Sequence, residues 1–337
     1  MRRSLGYVGR GLTSQLKRAS WRQSCATSDA LRAAPVRGLL ADVWEGLKEE
    51  VQVREVAPYS PSTPRRDGHL RVVCISDTHS MHWNLEVPDG DVLLFGGDFS
   101  ACGVPFETVD FNRFLESLPH KHKIVIAGNH DVTMYPPLYN RHYKRFQHIM
   151  KYDTDEVRSK LTAGHYLEET EVVIEGIKFF GSPWQPEFAG WAFNLKRGEE
   201  AREHWARIPD DVDVLLTHGP PLGIGDCCYH GGRVGCEDLL KRVREVKPRV
   251  HVFGHIHEGY GTYTDGDTFY INASNCRLNY VPVRPPIVFD LPLDRSLPPV
   301  TGAITGNDVQ VCRVREQASL LHIAANQGRI PHLLSHV

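Results

Sequence analysis

A mixed α/β domain is the fold class this sequence predicts, on two observations. Short β-branched runs recur at steady intervals with helical stretches between some of them, and the clearest runs each end in a cluster of Asp, His, Asn and Gly. Strands are expected at 70–75, 92–95, 123–127, 171–180, 212–217, 250–253, 268–272 and 286–290. Helices are expected at 107–118, 199–206 and 237–245. Before them, residues 38–54 read as a short amphipathic helix around Val43, Leu47 and Val51. A turn-rich linker with Pro58, Pro61 and Pro64 then runs to Gly68. The pattern divides the chain into a basic N-terminal extension and Pro-rich linker (1–68), the α/β domain (69–293) and a less regular C-terminal extension (294–337).

Composition narrows the function classes. The chain has 337 residues, 41% of them hydrophobic, enough for one large or two small domains. It has no run of eighteen apolar residues, which excludes a helical membrane span. A net charge of -2 excludes a bulk polyanion binder, so any preference for phosphate comes from a local site. The eight Cys form no CxxC or zinc-ribbon spacing, and Cys227 and Cys228 are adjacent, which favours thiols in a reducing compartment. The first 28 residues carry Arg2, Arg3, Arg10, Lys17, Arg18 and Arg22 without an acid, and Leu5, Val8, Leu12 and Leu16 share a helical face. That segment resembles a mitochondrial targeting sequence. A plain basic tail on a cytoplasmic protein is the simpler reading. Residues 319–328 read like part of one ankyrin repeat, and one unit cannot bury its own face. The end, Ser335-His336-Val337, matches a common PDZ-type pattern of low specificity.

Five clusters carry the chemistry. They are Ser76-Asp77-Thr78-His79, Gly96-Gly97-Asp98-Phe99-Ser100, Gly128-Asn129-His130-Asp131, Thr217-His218-Gly219-Pro220-Pro221 and Gly254-His255-Ile256-His257, each directly after an apolar strand. A strand delivers its last side chains to a defined point, at the carboxyl edge where α/β sheets build sites, and Gly lets the backbone turn beside a ligand. Asp77 and His79, like His255 and His257, are two apart, so on extended chain each pair faces one way. The donors are carboxylates, an amide and imidazoles without thiolate, which suits Mn, Fe, Zn or Mg. Each cluster alone is weak; five in series at strand ends are specific.

The order DxH, GD, GNHD, H, GHxH resembles that of the calcineurin-like metallophosphoesterase superfamily. Ile75-Ser-Asp-Thr-His-Ser80, Gly181-Ser-Pro-Trp184, Trp191-Ala-Phe-Asn-Leu195, Thr217-His-Gly-Pro-Pro-Leu-Gly223 and Tyr270-Ile-Asn-Ala-Ser274 are similar to the metallophosphoesterase domain-containing proteins, a group akin to class III cyclic-nucleotide phosphodiesterases. The likeness covers about residues 69–292. It implies a four-layer α/β/β/α sandwich with the site on loops at one edge. It further implies that Asp77, His79 and His257 hold a first divalent ion, that Asn129, His218 and His255 hold a second, that Asp98 bridges both and that His130 is catalytic. Some members of that group carry Gly in place of His255, which weakens their metal site; this chain has the His.

The resemblance therefore predicts a binuclear metal-dependent phosphoesterase, with Mn the favoured ion and Fe, Zn or Mg alternatives. Two ions about 3.5–4 Å apart lower the pKa of a shared water. The expected mechanism is attack of that bridging hydroxide on a small phosphodiester or cyclic nucleotide, with His130 serving the leaving oxygen. Substrate contacts are expected from Asn129, His130, His255 and Glu258; Glu258 reads equally well as an acid that orients His257. Asp131 reads as either a partner of the His130 ring or a solvated loop acid. Trp184 and Trp191 read as buried packing before nucleobase stacking. The loop of His230, Gly231, Gly232 and Arg233 is a weaker candidate for touching substrate.

Two other functions compete. Phosphoprotein phosphatases of this superfamily place Arg just after the bridging Asp to clamp a dianion, whereas here Asp98 is followed by Phe99-Ser100-Ala101-Cys102. A regulatory protein that holds nucleotide at a weakly active metal site is the other. A nuclease ranks lower, since the domain lacks a dense basic stripe. Protein partners leave no sequence signal.

Overall fold

The computed structural model describes residues 34–48, 51–229 and 231–308. The basic segment within 1–28, His230, the ankyrin-like stretch 319–328 and the tail 335–337 lie outside the described residues.

Two sheets stack face to face. The smaller has five strands, in the spatial order β14 (Ile287–Pro292), β2 (His69–Ile75), β3 (Val92–Phe95), β4 (His122–Val125) and β5 (His165–Tyr166). The larger has eight, in the order β15 (Ile304–Asp308), β1 (Arg54–Val56), β12 (Gly261–Thr264), β13 (Phe269–Asn272), β11 (Val250–Phe253), β10 (Val214–Thr217), β7 (Ile177–Ser182) and β6 (Thr170–Ile174). A short parallel pair, β8 (Gln185–Pro186) and β9 (Asn194–Leu195), stands apart. The main helices are α1 (Ala34–Leu47), α2 (Pro105–Ser117), α3 (Pro136–His142), α4 (Thr154–Arg158), α5 (Glu199–Trp205) and α6 (Glu237–Val246). None of the described helices is long and apolar enough to cross a membrane.

The period of two along each strand builds the layers. Val72, Cys74, Leu94 and Ile124 of the small sheet pack against Phe179, Val214, Leu216, Val252 and Ile271 of the large one. The alternate positions Val73, Ile75, Leu93, Phe95 and Val125 turn outward onto Phe111, Phe114 and Leu115 of α2. On the opposite side Leu215, Phe253 and Tyr270 meet Leu40 and Trp44 of α1, Trp205 of α5, and Leu239, Leu240 and Val243 of α6. Helix, sheet, sheet, helix is the four-layer sandwich expected.

Strands β2, β3 and β4 are mutually parallel, as are β7, β10, β11 and β13. Their carboxyl ends therefore emerge on one edge. There a bridge between Ser76 and Ser274 stitches the end of the small sheet to that of the large one.

The structure corrects four expectations. Residues 171–180 are a hairpin, β6–β7, because Glu175 (φ 50°) and Gly176 (φ 81°) form a two-residue turn with left-handed backbone at both positions. The helix expected at 38–54 is Ala34–Leu47, and Val51 and Val53 are buried beyond its end. The limits 69 and 293 leave out β1 and β15, which both pair into the large sheet, and α1, which covers it. Among the described cysteines Cys74 and Cys236 are buried thiols, but Cys227 is disulfide-bonded.

Trp44 is 2% exposed, and a Cβ on Gly223 would lie 1.9 Å from its ring. Arg233 stacks over the same ring at 4.4 Å. Trp44→Ala is expected to lower stability by about 3–5 kcal/mol. Urea denaturation of the full chain checks this; no change would place α1 outside the folding unit.

Candidate metal centre

The five clusters meet at the shared sheet edge. Asp77, His79 and His257 bring their donor atoms within 4.8 Å of one another, as do Asp98, His218 and His255, and as do His79, Asp98 and His130. His79 and His257 face each other through Nε2 at 3.2 Å, and Asp77 Oδ1 lies 3.5 Å from His257 Nε2. Asp98 stands between the two groups, with Oδ2 3.9 Å from His79 Nε2 and Oδ1 3.5 Å from His218 Nε2. Asn129 Oδ1 lies 3.0 Å from His218 Nε2. All seven expected donor residues thus come together.

The backbone that assembles them is not the extended chain the spacing suggested. Asp77 (φ 53°), His79 (φ 44°), Asp98 (φ 57°) and His255 (φ 64°) are all left-handed. Such conformations cost of order 1–3 kcal/mol each in a residue with a side chain, and they cluster where function demands them. The Gly residues beside them are required by space. A Cβ on Gly128 would sit 2.3 Å from Asp98 Oδ1, and one on Gly254 would sit 2.1 Å from Asp77 Oδ2.

Two of the rings are aimed by a carbonyl behind them. Nδ1 of His218 donates to the Gly96 carbonyl (2.9 Å) and Nδ1 of His257 to that of Arg277 (3.2 Å). This leaves both Nε2 lone pairs pointing into the site, the usual orientation of a ligating imidazole. His218 Nε2, Asn129 Oδ1 and Asp98 Oδ1 then form a ring of acceptors, a set that needs a cation among them. The charges agree. Burial disfavours a His218 cation, yet the Asp98 charge overrides it and pushes the ring up to about 9. Burial also opposes ionisation of Asp77, but the hydrogen bond and charge of His257 hold its carboxyl well below the usual range. Burial, with the His218 charge, pushes His255 down to about 3. The mixed O/N set fits two divalent ions of intermediate hardness and offers no thiolate.

His130 occupies a distinct place. Its Nδ1 donates to the Ala101 carbonyl (2.8 Å), its backbone N–H donates to Asp98 Oδ1 (2.8 Å), and Trp191 stacks on its face at 4.3 Å. Trp191 is buried, as expected, but it buries itself against the site. Trp184 packs on Tyr135, Phe193 and His204.

Asp131 takes neither role read from the sequence. It is fully buried and accepts from the N–H groups of Asp98 (3.0 Å), Ser100 (2.9 Å) and Gly128 (2.8 Å) and from the Ser100 hydroxyl (2.6 Å). Burial and the nearby Asp98 charge push its carboxyl up to about 8, against these donors. It locks the loop after β3 to the loop after β4. Asp131→Ala is expected to weaken metal affinity by about 10–100-fold, the usual cost of losing a group that orients ligands. Metal titration checks this; unchanged affinity would make Asp131 a packing residue only.

Glu258 does not orient His257. Its Oε1 accepts the Tyr229 N–H (2.8 Å), while the Arg277 carbonyl holds the ring. Arg233 is buried, its guanidinium donating to Asp226 (2.7 Å) and lying over the Trp44 ring. Sequence reasoning missed Ser274, whose hydroxyl donates to Asp77 Oδ2 (2.9 Å), and Asn275, whose Oδ1 accepts the Ser76 N–H (3.0 Å). Both lie in or beside the phrase Tyr270-Ile-Asn-Ala-Ser274, and their strand-end position was the available signal. It also missed Tyr280, whose ring edge meets His79 at 4.6 Å.

Residues 70–259 match the family model described as calcineurin-like phosphoesterase. The chain is 47% identical over 264 residues to the human protein named metallophosphoesterase domain-containing protein 1, covering 76% of this chain and 81% of that one. The mouse protein of the same name matches equally. A UPF0046 protein of Caenorhabditis elegans is 41% identical over 265 residues, covering 74% of this chain and 67% of its own length.

Proposed function

This chain belongs to the calcineurin-like phosphoesterase family, and from that premise we propose that it hydrolyses small phosphodiesters, cyclic nucleotides among them, at a pair of divalent ions, with Mn preferred. The observation that carries the reading is Asp98, whose two carboxylate oxygens face the two donor groups separately. Asp77, His79 and His257 would hold one ion, Asn129, His218 and His255 the other, and Asp98 both. Bound there, the ions supply Lewis-acid charge neutralisation on the phosphoryl oxygens and a nucleophilic water at neutral pH.

The chain's own residues do the rest. With Nδ1 tied to Ala101, His130 offers Nε2 to carry the proton delivered to the leaving oxygen. The stack on Trp191 and the backbone bond to Asp98 fix where that nitrogen points. Asn129 and His255 flank the same space and would contact the phosphoryl group.

The residues after Asp98 favour a diester over a monoester. Phe99 is fully buried and the Ser100 hydroxyl is spent on Asp131, so this loop offers no cation to hold a dianion. Purified full chain loaded with Mn is expected to turn over bis(4-nitrophenyl) phosphate faster than 4-nitrophenyl phosphate. Monoester turnover alone would overturn the proposal in favour of a phosphatase. Nucleotide binding without turnover would overturn it in favour of a regulatory protein.

A further inference from the structure

We propose that Tyr280 and Phe188 form aromatic walls at the two ends of the donor array and select phosphodiesters bearing a flat organic group on each ester arm. This rests on the phosphodiesterase reading and narrows it to acyclic diesters, since a cyclic nucleotide closes both ester arms on one ribose. Tyr280 stands at one end. Its ring meets His79 edge-on at 4.6 Å and 87°, and lies 5.8 Å from His257 and 6.0 Å from His130. Phe188 stands at the other. Its ring meets His255 at 5.7 Å and 81°, and His255 lies 5.0 Å from His218. The array therefore runs from Tyr280 through His79 and His257 to Asp98, then through His218 and His255 to Phe188.

Both rings are set in place by backbone tied to the site. Tyr280 has φ 60°, a conformation that is costly for a bulky residue. Strain of this kind persists only where the surroundings enforce it. Here the Tyr280 N–H donates to the Arg277 carbonyl (2.7 Å), and the Arg277 N–H donates to the Val281 carbonyl (3.0 Å). The same Arg277 carbonyl holds His257 Nδ1. Arg284 pins the base of the loop, its guanidinium donating to the carbonyls of His257 and Cys276. On the opposite side the Phe188 carbonyl accepts the Trp191 N–H (3.2 Å) and the Asn194 side-chain amide (3.1 Å). Phe188 keeps 37% of its surface exposed, and Tyr280 is half-buried. Neither ring is sealed in the core.

A monoester has one organic arm on phosphorus; a diester has two, projecting apart. With the phosphoryl group over Asp98, midway along the array, each arm of a diester meets one wall. Aromatic rings favour edge and offset-face contact with other flat groups. Two walls therefore discriminate by both arms at once.

The test uses diphenylphosphinate and dimethylphosphinate, whose arms are joined to phosphorus by carbon and are not hydrolysed. Calorimetric titration of the metal-loaded full chain is expected to show tighter binding of the diphenyl compound. Tyr280→Ala and Phe188→Ala should each cut that preference roughly 3- to 10-fold, the scale of one aromatic pair, and the double variant should remove it, with metal content unchanged. No preference in the parent chain, or an intact preference in the double variant, overturns the proposal. If the preference behaves as expected while bis(4-nitrophenyl) phosphate is not hydrolysed, the walls stand and the hydrolytic reading falls. If that diester is hydrolysed and the variants bind both phosphinates as the parent does, the walls fall and the hydrolytic reading stands.

Discussion

Asp98→Ala is expected to strip the site of both metal ions and to reduce turnover more than about a thousandfold, as happens when residues act as one unit. The reason is position. Asp98 Oδ1 faces His218 and Oδ2 faces His79, so a single carboxylate supplies the negative charge both donor groups share. Without it, His79, His218, His255 and His257 crowd four imidazoles around two incoming cations, and Asp77 is the one carboxylate left among the expected donors. The loop suffers as well, because Oδ1 also accepts the His130 N–H at 2.8 Å. Metal analysis of the purified variant beside the parent chain gives the answer. A variant that keeps both its metal and its rate refutes the bridging role.

His130→Ala is expected to behave in the opposite way, keeping its metal while kcat falls about 10²–10⁴-fold, the contribution of one positioned proton donor. Its imidazole is anchored from behind at Nδ1 and stacked on Trp191, which is how a group that moves a proton is held. Yet a nitrogen of His130 also lies within 4.8 Å of the donor atoms of His79 and Asp98, so ligation is the competing geometry. The two separate cleanly. Loss of metal from the variant would make His130 a ligand; retained metal with an unaltered kcat would make it neither.

The legible part of this molecule was its strand ends. The runs ending at Ile75, Phe95, Thr217 and Phe253 are mostly apolar because both of their faces are buried, and such runs stand out in any sequence. The donors come directly after them, so their positions could be read. Their convergence was read for the wrong reason. Extended-chain alternation would have paired Asp77 with His79, whereas both adopt left-handed backbone that no periodicity reveals. Asp131 was misread because its four donors come from three residues around two loops, a contact that exists only once β3 and β4 are side by side. The hairpin at 175–176 was invisible for a local reason: Glu-Gly lacks the Asn-Gly signal of its turn type. The contacts of Trp191 with His130 and of Tyr280 with His79 were beyond reach because they join segments distant in the chain. The four-layer architecture came from the resemblance, since alternating strands and helices specify an α/β class but not the number of sheets.

Divalent-ion content of the purified, folded full chain tests the central claim most directly. After loading with Mn and removal of free ion, elemental analysis should find both positions filled. Competition with a chelator should release the ions together with loss of diester hydrolysis. A well-folded chain that retains no divalent ion under those conditions, or hydrolyses the diester equally well after the ions are removed, would contradict the account.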